Sequence, residues 1–317
     1  MNLDVHALAE AVTSAHAQFG ALPGGGNASY IPYLAAVPSH LAGVAVATVD
    51  GRVFAAGDTS YEFAIESISK VMTLALIMEQ RGPEVVQKQI GADPTGLPFN
   101  SVMALELHGD RPLSPLVNAG AIASVSLVDA RNREDRWQQI LAMQSALAGR
   151  TITMSDVVNE SEQTTNFHNR AIAWLLYAAG TLYCDAMEAC DVYTRQCSTL
   201  ISCVDLATMG ATLAAGGVNP VTKKRVLDPK HVPPILAEMT MEGLYERSGD
   251  WAYTVGLPGK SGVGGGILAV MPGVAAIAGF SPPLDAAGNS VRGQAMVSAV
   301  SHAMGWNIYS VPGAPRS

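Results

Sequence analysis

The pattern of apolar and polar positions predicts a β-hairpin near the start of the chain that leads into a buried helix. Two short apolar segments, residues 42–49 and 52–57, are separated by Asp50-Gly51, a typical tight-turn pair. An apolar helical run follows over residues 71–78. Any residue that lies between this hairpin and this helix is therefore held by two regular elements.

The rest of the chain divides by the same pattern into a helical middle and strands near the C-terminus. Helical spacing is also found in the segments 3–19, 137–147, 155–161, 169–179, 186–197, 203–215 and 293–304. After Gly216-Gly217 the sequence is typical of Gly-rich strands as far as the last helix. Strands near both ends indicate one sheet that distant segments complete.

This organisation predicts an α/β (α+β) protein with two structural units. We expect a discontinuous sheet domain from residues 1–70 and 216–317, and a mainly helical subdomain from residues 71–215. The active site would lie between them.

An uncharged segment, residues 261–284, is long enough to span a bilayer. Its glycines and the Pro272-Gly273 pair divide it into two runs, 267–271 and 274–280, each of strand length. The segment is therefore predicted to be a buried β-hairpin, and no membrane association is expected.

Composition limits the possible partners. Charged residues make up 15% of the 317 residues and apolar residues 49%, which leaves less charged surface than usual and favours contacts between subunits. We expect a homodimer or a homotetramer, although composition does not count the subunits. The formal charge of −8 argues against nucleic acid as a partner. The first residues carry an acid and lack the basic and apolar regions of a signal peptide, so a cytoplasmic protein is expected.

The cysteines do not have the spacing of a zinc site. They are Cys184, Cys190, Cys197 and Cys203, six or seven residues apart, without a C-x-x-C pair. The seven histidines are scattered and form no HExxH pair. Reduced thiols, no metal and no cofactor are predicted.

The tetrad Ser67-Ile68-Ser69-Lys70 indicates nucleophilic chemistry. Residues three apart lie on one face of a helix, so the Lys70 amine can reach the Ser67 hydroxyl. A lysine accepts a proton from serine only if burial or positive charge lowers its pKa. Such tetrads also occur by chance on exposed helices, but here the tetrad lies between a hairpin and an apolar helix, as in penicillin-recognising enzymes.

Further motifs resemble the serine-dependent glutaminases, β-lactamase-like enzymes that hydrolyse L-glutamine to L-glutamate and ammonia. The matching segments occur in the same order along nearly the whole chain. They are residues 30–34, 66–71, 117–122, 161–162, 168–171, 216–220, 243–249, 255–267, 281–285 and 288–290. The resemblance implies a β-lactamase/DD-peptidase-like fold, with a mainly antiparallel sheet flanked by helices plus a helical subdomain.

The resemblance also implies catalytic roles for five residues. Ser67 would attack the side-chain carboxamide of glutamine, and Lys70 would accept its proton. The backbone N–H groups of Ser67 and Val263 would form the oxyanion hole. Tyr30 and Tyr245 would lie beside the nucleophile and pass a proton to the departing ammonia.

Binding of the amino-acid end of glutamine is implied for four further residues, together with the catalytic Ser67, Tyr245 and Val263. Glu162 would pair with the α-ammonium group. Asn118, Asn169 and Tyr193 would donate hydrogen bonds to the α-carboxylate.

Two positions leave alternatives open. Glu66 stands where the family usually has Gln, and a negative charge there would raise the pKa of Lys70 and weaken the base. A catalytically silent amino-acid sensor is therefore one alternative. Lys260 of the Lys-Ser-Gly motif either contacts the substrate carboxylate or only shapes its strand. For the function of the whole protein, the other alternative is a penicillin-binding or β-lactamase-type hydrolase with the same fold.

Overall fold

Two antiparallel sheets organise the computed structural model, which describes residues 3–310. The strands are β1 (Gly43–Thr48), β2 (Val53–Gly57), β3 (Phe63–Ala64), β4 (Thr153–Met154), β5 (Thr199–Ile201), β6 (Gly259–Ser261), β7 (Gly266–Met271) and β8 (Ala275–Phe280). The larger sheet has the order β2-β1-β8-β7-β6, and the smaller one has the order β3-β5-β4. The pairing of β1 with β8 joins the two ends of the chain in one sheet, as the sequence predicts.

Helices surround the larger sheet and form the middle of the chain. They are α1 (Val5–Phe19), α2 (Pro32–Ala35), α3 (Ser69–Arg81), α4 (Pro83–Gln89), α5 (Val102–Leu107), α6 (Asn118–Leu127), α7 (Arg133–Ala148), α8 (Asp156–Gln163), α9 (Phe167–Ala178), α10 (Ala186–Cys197), α11 (Cys203–Ala214), α12 (Val232–Glu242), α13 (Ser248–Thr254) and α14 (Val291–Met304). Short 3₁₀ turns at Glu66–Ile68 and Tyr245–Arg247 interrupt the regular elements.

Both faces of the larger sheet are covered. Because side chains alternate along a strand, Val44 and Val46 of β1 pack on one face with α1 and α14. Ala45 and Ala47 point to the other face, where α11 lies. Gly210 lets α11 approach closely, since a Cβ atom there would lie 2.5 Å from Leu268.

Helix α3 forms the centre of the helical region. It contacts α4, α6, α7 and α12, and every residue from Ser69 to Met78 is buried. A helix that is buried on all sides holds its first turn in a fixed position. The small sheet supports the same region. Its strand β3 lies just before the Glu66–Ile68 turn in the chain and is held by pairing with β5.

Several predicted elements are confirmed. The hairpin of β1 and β2, the helix that follows it, the hairpin of β7 and β8, and α10 all form where the pattern places them. Cys184, Cys190, Cys197 and Cys203 are free thiols. Between residues 3 and 310 the structure contains no helix with the length and apolarity needed to cross a bilayer.

One predicted stretch is wrong. Residues 216–292 were expected to contain only Gly-rich strands, but α12 and α13 form there. Pro233 and Pro234 lie in the first turn of α12, where the backbone N–H groups have no intrahelical partner and proline is tolerated. The division into units at residues 70 and 216 stays a prediction.

Candidate active site

Ser67 lies in the 3₁₀ turn Glu66–Ile68, directly before α3. Glu66 has a φ angle of 51°, in the left-handed region that non-glycine residues rarely adopt. The surrounding structure must hold such a conformation in place, and positions of this kind cluster at functional sites. Ser67 itself is 6% exposed. The nucleophile predicted from the sequence is thus fixed in a strained, nearly buried turn.

Lys70 follows one turn later and is fully buried. Its Nζ donates to Asn118 Oδ1 at 2.7 Å and to the Leu116 carbonyl at 3.4 Å, rather than to Ser67 Oγ. Burial lowers the pKa of Lys70 to about 8, although the nearby Cys197, Glu66 and Glu242 act to raise it. The predicted effect of Glu66 is therefore present, but desolvation outweighs it.

Asn118, at the start of α6, connects Lys70 to two other predicted binding residues. Its Oδ1 also accepts from the Tyr193 hydroxyl at 3.2 Å, and its Nδ2 donates to Asn169 Oδ1 at 2.9 Å. The network joins α3, α6, α9 and α10. Four of the residues predicted from the sequence therefore form one hydrogen-bonded group.

Tyr245 packs close to the nucleophile in a second strained turn. It is 2% exposed and has a φ angle of 57°. Burial raises the pKa of its phenol, while a contact with the Ser67 hydroxyl acts in the opposite direction. Among residues 3–310 no group forms a regular hydrogen bond with the Tyr245 hydroxyl. A neutral phenol therefore lies beside the nucleophile.

Val263 lies in the glycine loop between β6 and β7, which packs against the Ser67 turn. A Cβ atom at Gly264 would lie 2.2 Å from the Ala64 carbonyl, and one at Gly262 would lie 2.8 Å from the Ile65 carbonyl. Only glycine permits such an approach of two backbone segments. The loop therefore presents its backbone next to the turn that carries Ser67.

Glu162 of α8 and Glu66 form a buried carboxyl pair. The two groups lie within hydrogen-bonding distance of each other, and Ser198 Oγ donates to Glu162 Oε1 at 3.4 Å. Burial raises the pKa of both carboxyl groups, and the charge of Glu162 raises that of Glu66 further. The predicted ammonium-binding residue is therefore accompanied by a second acid.

A pocket of about 400 Å³ opens above this group. Tyr30, Asn118, Glu162 and Asn169 line it. The Tyr30 ring is 59% exposed, but desolvation of its hydroxyl group and the carboxyl groups of Glu66 and Glu162 raise its pKa. Polar groups that converge in a concave pocket of this size are typical of a small-molecule site.

Phe99 is a site residue that the sequence analysis missed. Its ring lines the pocket, lies 4.4 Å from the ring of Tyr245 between centroids, and is 5.9 Å from Lys70 Nζ. Its carbonyl accepts from the backbone N–H of Asn118 at 2.8 Å. Phe99 lies in a loop without a recognisable motif, so no sequence signal pointed to it.

Lys260 lies beneath the site and does not line the pocket. It is fully buried, and its Nζ donates to the carbonyls of Gly243 and Ser261 at 2.9 and 2.7 Å. It also lies 4.2 Å from the centroid of the Tyr245 ring. These contacts favour the alternative in which Lys260 shapes its strand and the Tyr245 turn.

No metal-binding group accompanies the site. Within residues 3–310, His, Cys, Asp and Glu side chains nowhere gather in a group of three that could hold a metal ion. The arrangement consists of a serine, a buried amine, a phenol and a carboxyl pair around a pocket. It can support acyl transfer with a bound zwitterion.

Comparisons with known proteins identify relatives along the whole chain. The family described as Glutaminase matches residues 25–309. "Glutaminase 1" of Shigella flexneri is 70% identical over 307 residues, which are 97% of this chain and 99% of the relative. "Glutaminase" of Bordetella avium is 69% identical over 309 residues, 98% and 99% of the two chains.

Solved structures agree with these matches. "Probable glutaminase ybaS" superposes with a TM-score of 0.97 at 69% identity and covers 98% of this chain and 100% of that one. A Bacillus glutaminase superposes with a TM-score of 0.85 at 28% identity, covering 95% and 99%. The likeness thus includes both the fold and the full length of these relatives.

Proposed function

The chain belongs to the glutaminase family, and we propose that it hydrolyses L-glutamine to L-glutamate and ammonia through an acyl-enzyme on Ser67. It is a glutaminase, an amidohydrolase, with the β-lactamase-like fold that the sequence predicts. The observation that carries the proposed mechanism is the buried Lys70 one turn after Ser67, bonded to Asn118 at the pocket.

Acylation begins when Ser67 Oγ attacks the side-chain carboxamide carbon of glutamine. Lys70 accepts the hydroxyl proton, because burial lowers its pKa to about 8 and leaves part of it neutral near neutral pH. Rotation of its side chain from Asn118 brings Nζ to the serine, which is three residues earlier. The new ester bond replaces the C–N bond, and water later hydrolyses the glutamyl ester.

The negative charge on the carbonyl oxygen forms next to two backbone N–H groups, those of Ser67 and Val263. The close packing of the glycine loop on the Ser67 turn supports this assignment. Fixed N–H groups stabilise an oxyanion without reorganisation during the reaction.

The departing ammonia requires a proton. Tyr245 is well suited to supply it, because its raised pKa keeps the phenol protonated beside Ser67. Tyr30 lies at the rim of the same pocket and is the second candidate. In deacylation the deprotonated phenol takes a proton from the attacking water, and protonated Lys70 returns its proton to Ser67 Oγ as the ester bond breaks.

The amino-acid end of glutamine binds in the pocket. Glu162 receives the α-ammonium group, and Asn118, Asn169 and Tyr193 bind the α-carboxylate. The buried amide network supports this role, since preorganised donors lose little entropy on binding.

The proposed activity predicts equal amounts of ammonia and glutamate from L-glutamine. The measurement uses purified protein, with L-asparagine and a chromogenic cephalosporin in parallel. Release from glutamine alone supports the proposal. Acylation by the cephalosporin would favour the penicillin-type hydrolase, and binding of L-glutamine without ammonia release would favour the sensor.

A homo-oligomer is also part of the proposal. Exposed apolar side chains gather on α9 and at its start: Phe167, Trp174, Leu175 and Tyr177 are 69%, 51%, 43% and 53% exposed. Contiguous exposed apolar surface of this kind often marks an interface. A second copy of the chain would bury it.

This surface predicts a mass in solution of two or four chains. Light scattering after size-exclusion chromatography measures it. Trp174→Glu should lower the mass by placing a charge in the interface. Tyr253→Glu is the control: Tyr253 is also exposed, at 90%, but it lies on α13 instead of α9, so this variant should keep the wild-type mass. A monomeric wild-type protein would contradict the proposal.

A further inference from the structure

The buried carboxyl pair of Glu66 and Glu162 contains one acid, Glu66, to which the proposed mechanism assigns no role. The residues are 3% and 7% exposed, and their carboxyl groups lie within hydrogen-bonding distance of each other. Within residues 3–310, no group donates a hydrogen bond to Glu66 Oε1. Two carboxylates in such contact repel each other strongly, so the pair retains a proton.

Neighbouring groups do not supply enough positive charge to ionise both acids. The titratable groups that face the pair are Tyr30, Lys70, Cys190, Tyr193, Cys197 and Tyr245. Lys70 is the cation among them, and its Nζ is directed to Asn118. The phenols and thiols are neutral and cannot compensate a second negative charge.

The two side chains differ in their surroundings. Glu162 lines the pocket and accepts a hydrogen bond from Ser198. Glu66 does not line the pocket, and its side chain packs against Gly262 and Gly264 of the loop that carries Val263. Glu66 is further from solvent, and fewer groups donate hydrogen bonds to its carboxyl group. Ionising Glu66 therefore costs more free energy than ionising Glu162.

We propose that Glu66 is a positioning residue that stays protonated in the active enzyme and donates its O–H group to Glu162. The pair then carries one negative charge, on the acid that lines the pocket, where the substrate α-ammonium binds. A neutral Glu66 also places no charge next to Ser67 and Lys70. This inference rests on the proposed assignment of Glu162 to the α-ammonium group.

The test compares the same chemical change in the two halves of the pair. Glu162→Gln should raise KM for L-glutamine by about 100-fold, because the charge that binds the ammonium is lost. Glu66→Met removes the donor and should raise KM by about tenfold, with a smaller loss in kcat. Glu66→Gln should keep KM much closer to the wild-type value than Glu66→Met does, since the amide N–H group of glutamine also donates to Glu162.

An infrared measurement shows directly whether the carboxyl pair retains a proton, and it does not depend on glutamine turnover. The difference spectrum of wild type minus Glu66→Gln at about pH 7 should contain the carbonyl band of a protonated carboxylic acid, which ordinary glutamates lack at that pH. Absence of the band would overturn the inference, even if the protein hydrolyses glutamine. So would a Glu66→Gln variant as impaired as Glu162→Gln, or a Glu162→Gln variant with wild-type KM.

Discussion

Replacing Ser67 with alanine should lower kcat for glutamine by about 10⁴-fold or more, while the protein folds normally. Without Oγ no acyl-enzyme can form, and residual hydrolysis depends on the oxyanion hole and on binding alone. In the part of the chain that the structure describes, the contact with Tyr245 is the one polar side-chain contact of the Ser67 hydroxyl, so stability should change by less than about 1 kcal/mol. Ammonia release and thermal unfolding measure the two effects.

Ser69→Ala is a matched control in the same turn. Ser69 is also buried, but its Oγ donates to the Glu66 carbonyl at 2.6 Å. Its removal should cost about 1 kcal/mol of stability and leave most of the activity. If Ser67→Ala kept a rate close to wild type, or if Ser69→Ala were the inactive variant, the covalent mechanism on Ser67 would be wrong.

The elements next to the site could be predicted from local sequence patterns. The apolar runs of β1 and α3 are properties of adjacent residues, and they placed Ser67 between a hairpin and a buried helix. The resemblance to glutaminases supplied the other site residues. Their roles stay predictions. Four of the side chains, those of Tyr30, Asn118, Glu162 and Asn169, line one pocket, and Lys70 and Tyr193 are hydrogen-bonded to Asn118.

The contacts that decide the chemistry could not be predicted in the same way. Lys70 bonds to Asn118, 48 residues away, and Glu66 meets Glu162 across two different elements. Such contacts depend on tertiary packing, which no local spacing records. Glu66 does act to raise the pKa of Lys70, as expected, but desolvation outweighs this effect, and desolvation depends on everything packed around the amine.

Removing the Lys70 amine should reduce kcat about as much as removing the Ser67 hydroxyl. Lys70→Ala deletes the base, and a hydroxyl without a base is a weak nucleophile. Lys70→Met tests the same loss with most of the side-chain volume retained, because Lys70 is fully buried and alanine would leave a cavity. If Lys70→Met were as active as wild type, Lys70 would not be the base.

The pH dependence and the double variant separate the role of Lys70 from a structural one. Because the neutral amine is the active form and its pKa is about 8, kcat/KM of the wild-type protein should rise as the pH increases through that value. Lys70→Met should lose this rise.

Ser67→Ala combined with Lys70→Ala should be no slower than either single variant, since a nucleophile and its base act as one unit. Additive losses, or an unchanged pH profile in Lys70→Met, would show that the two residues act separately.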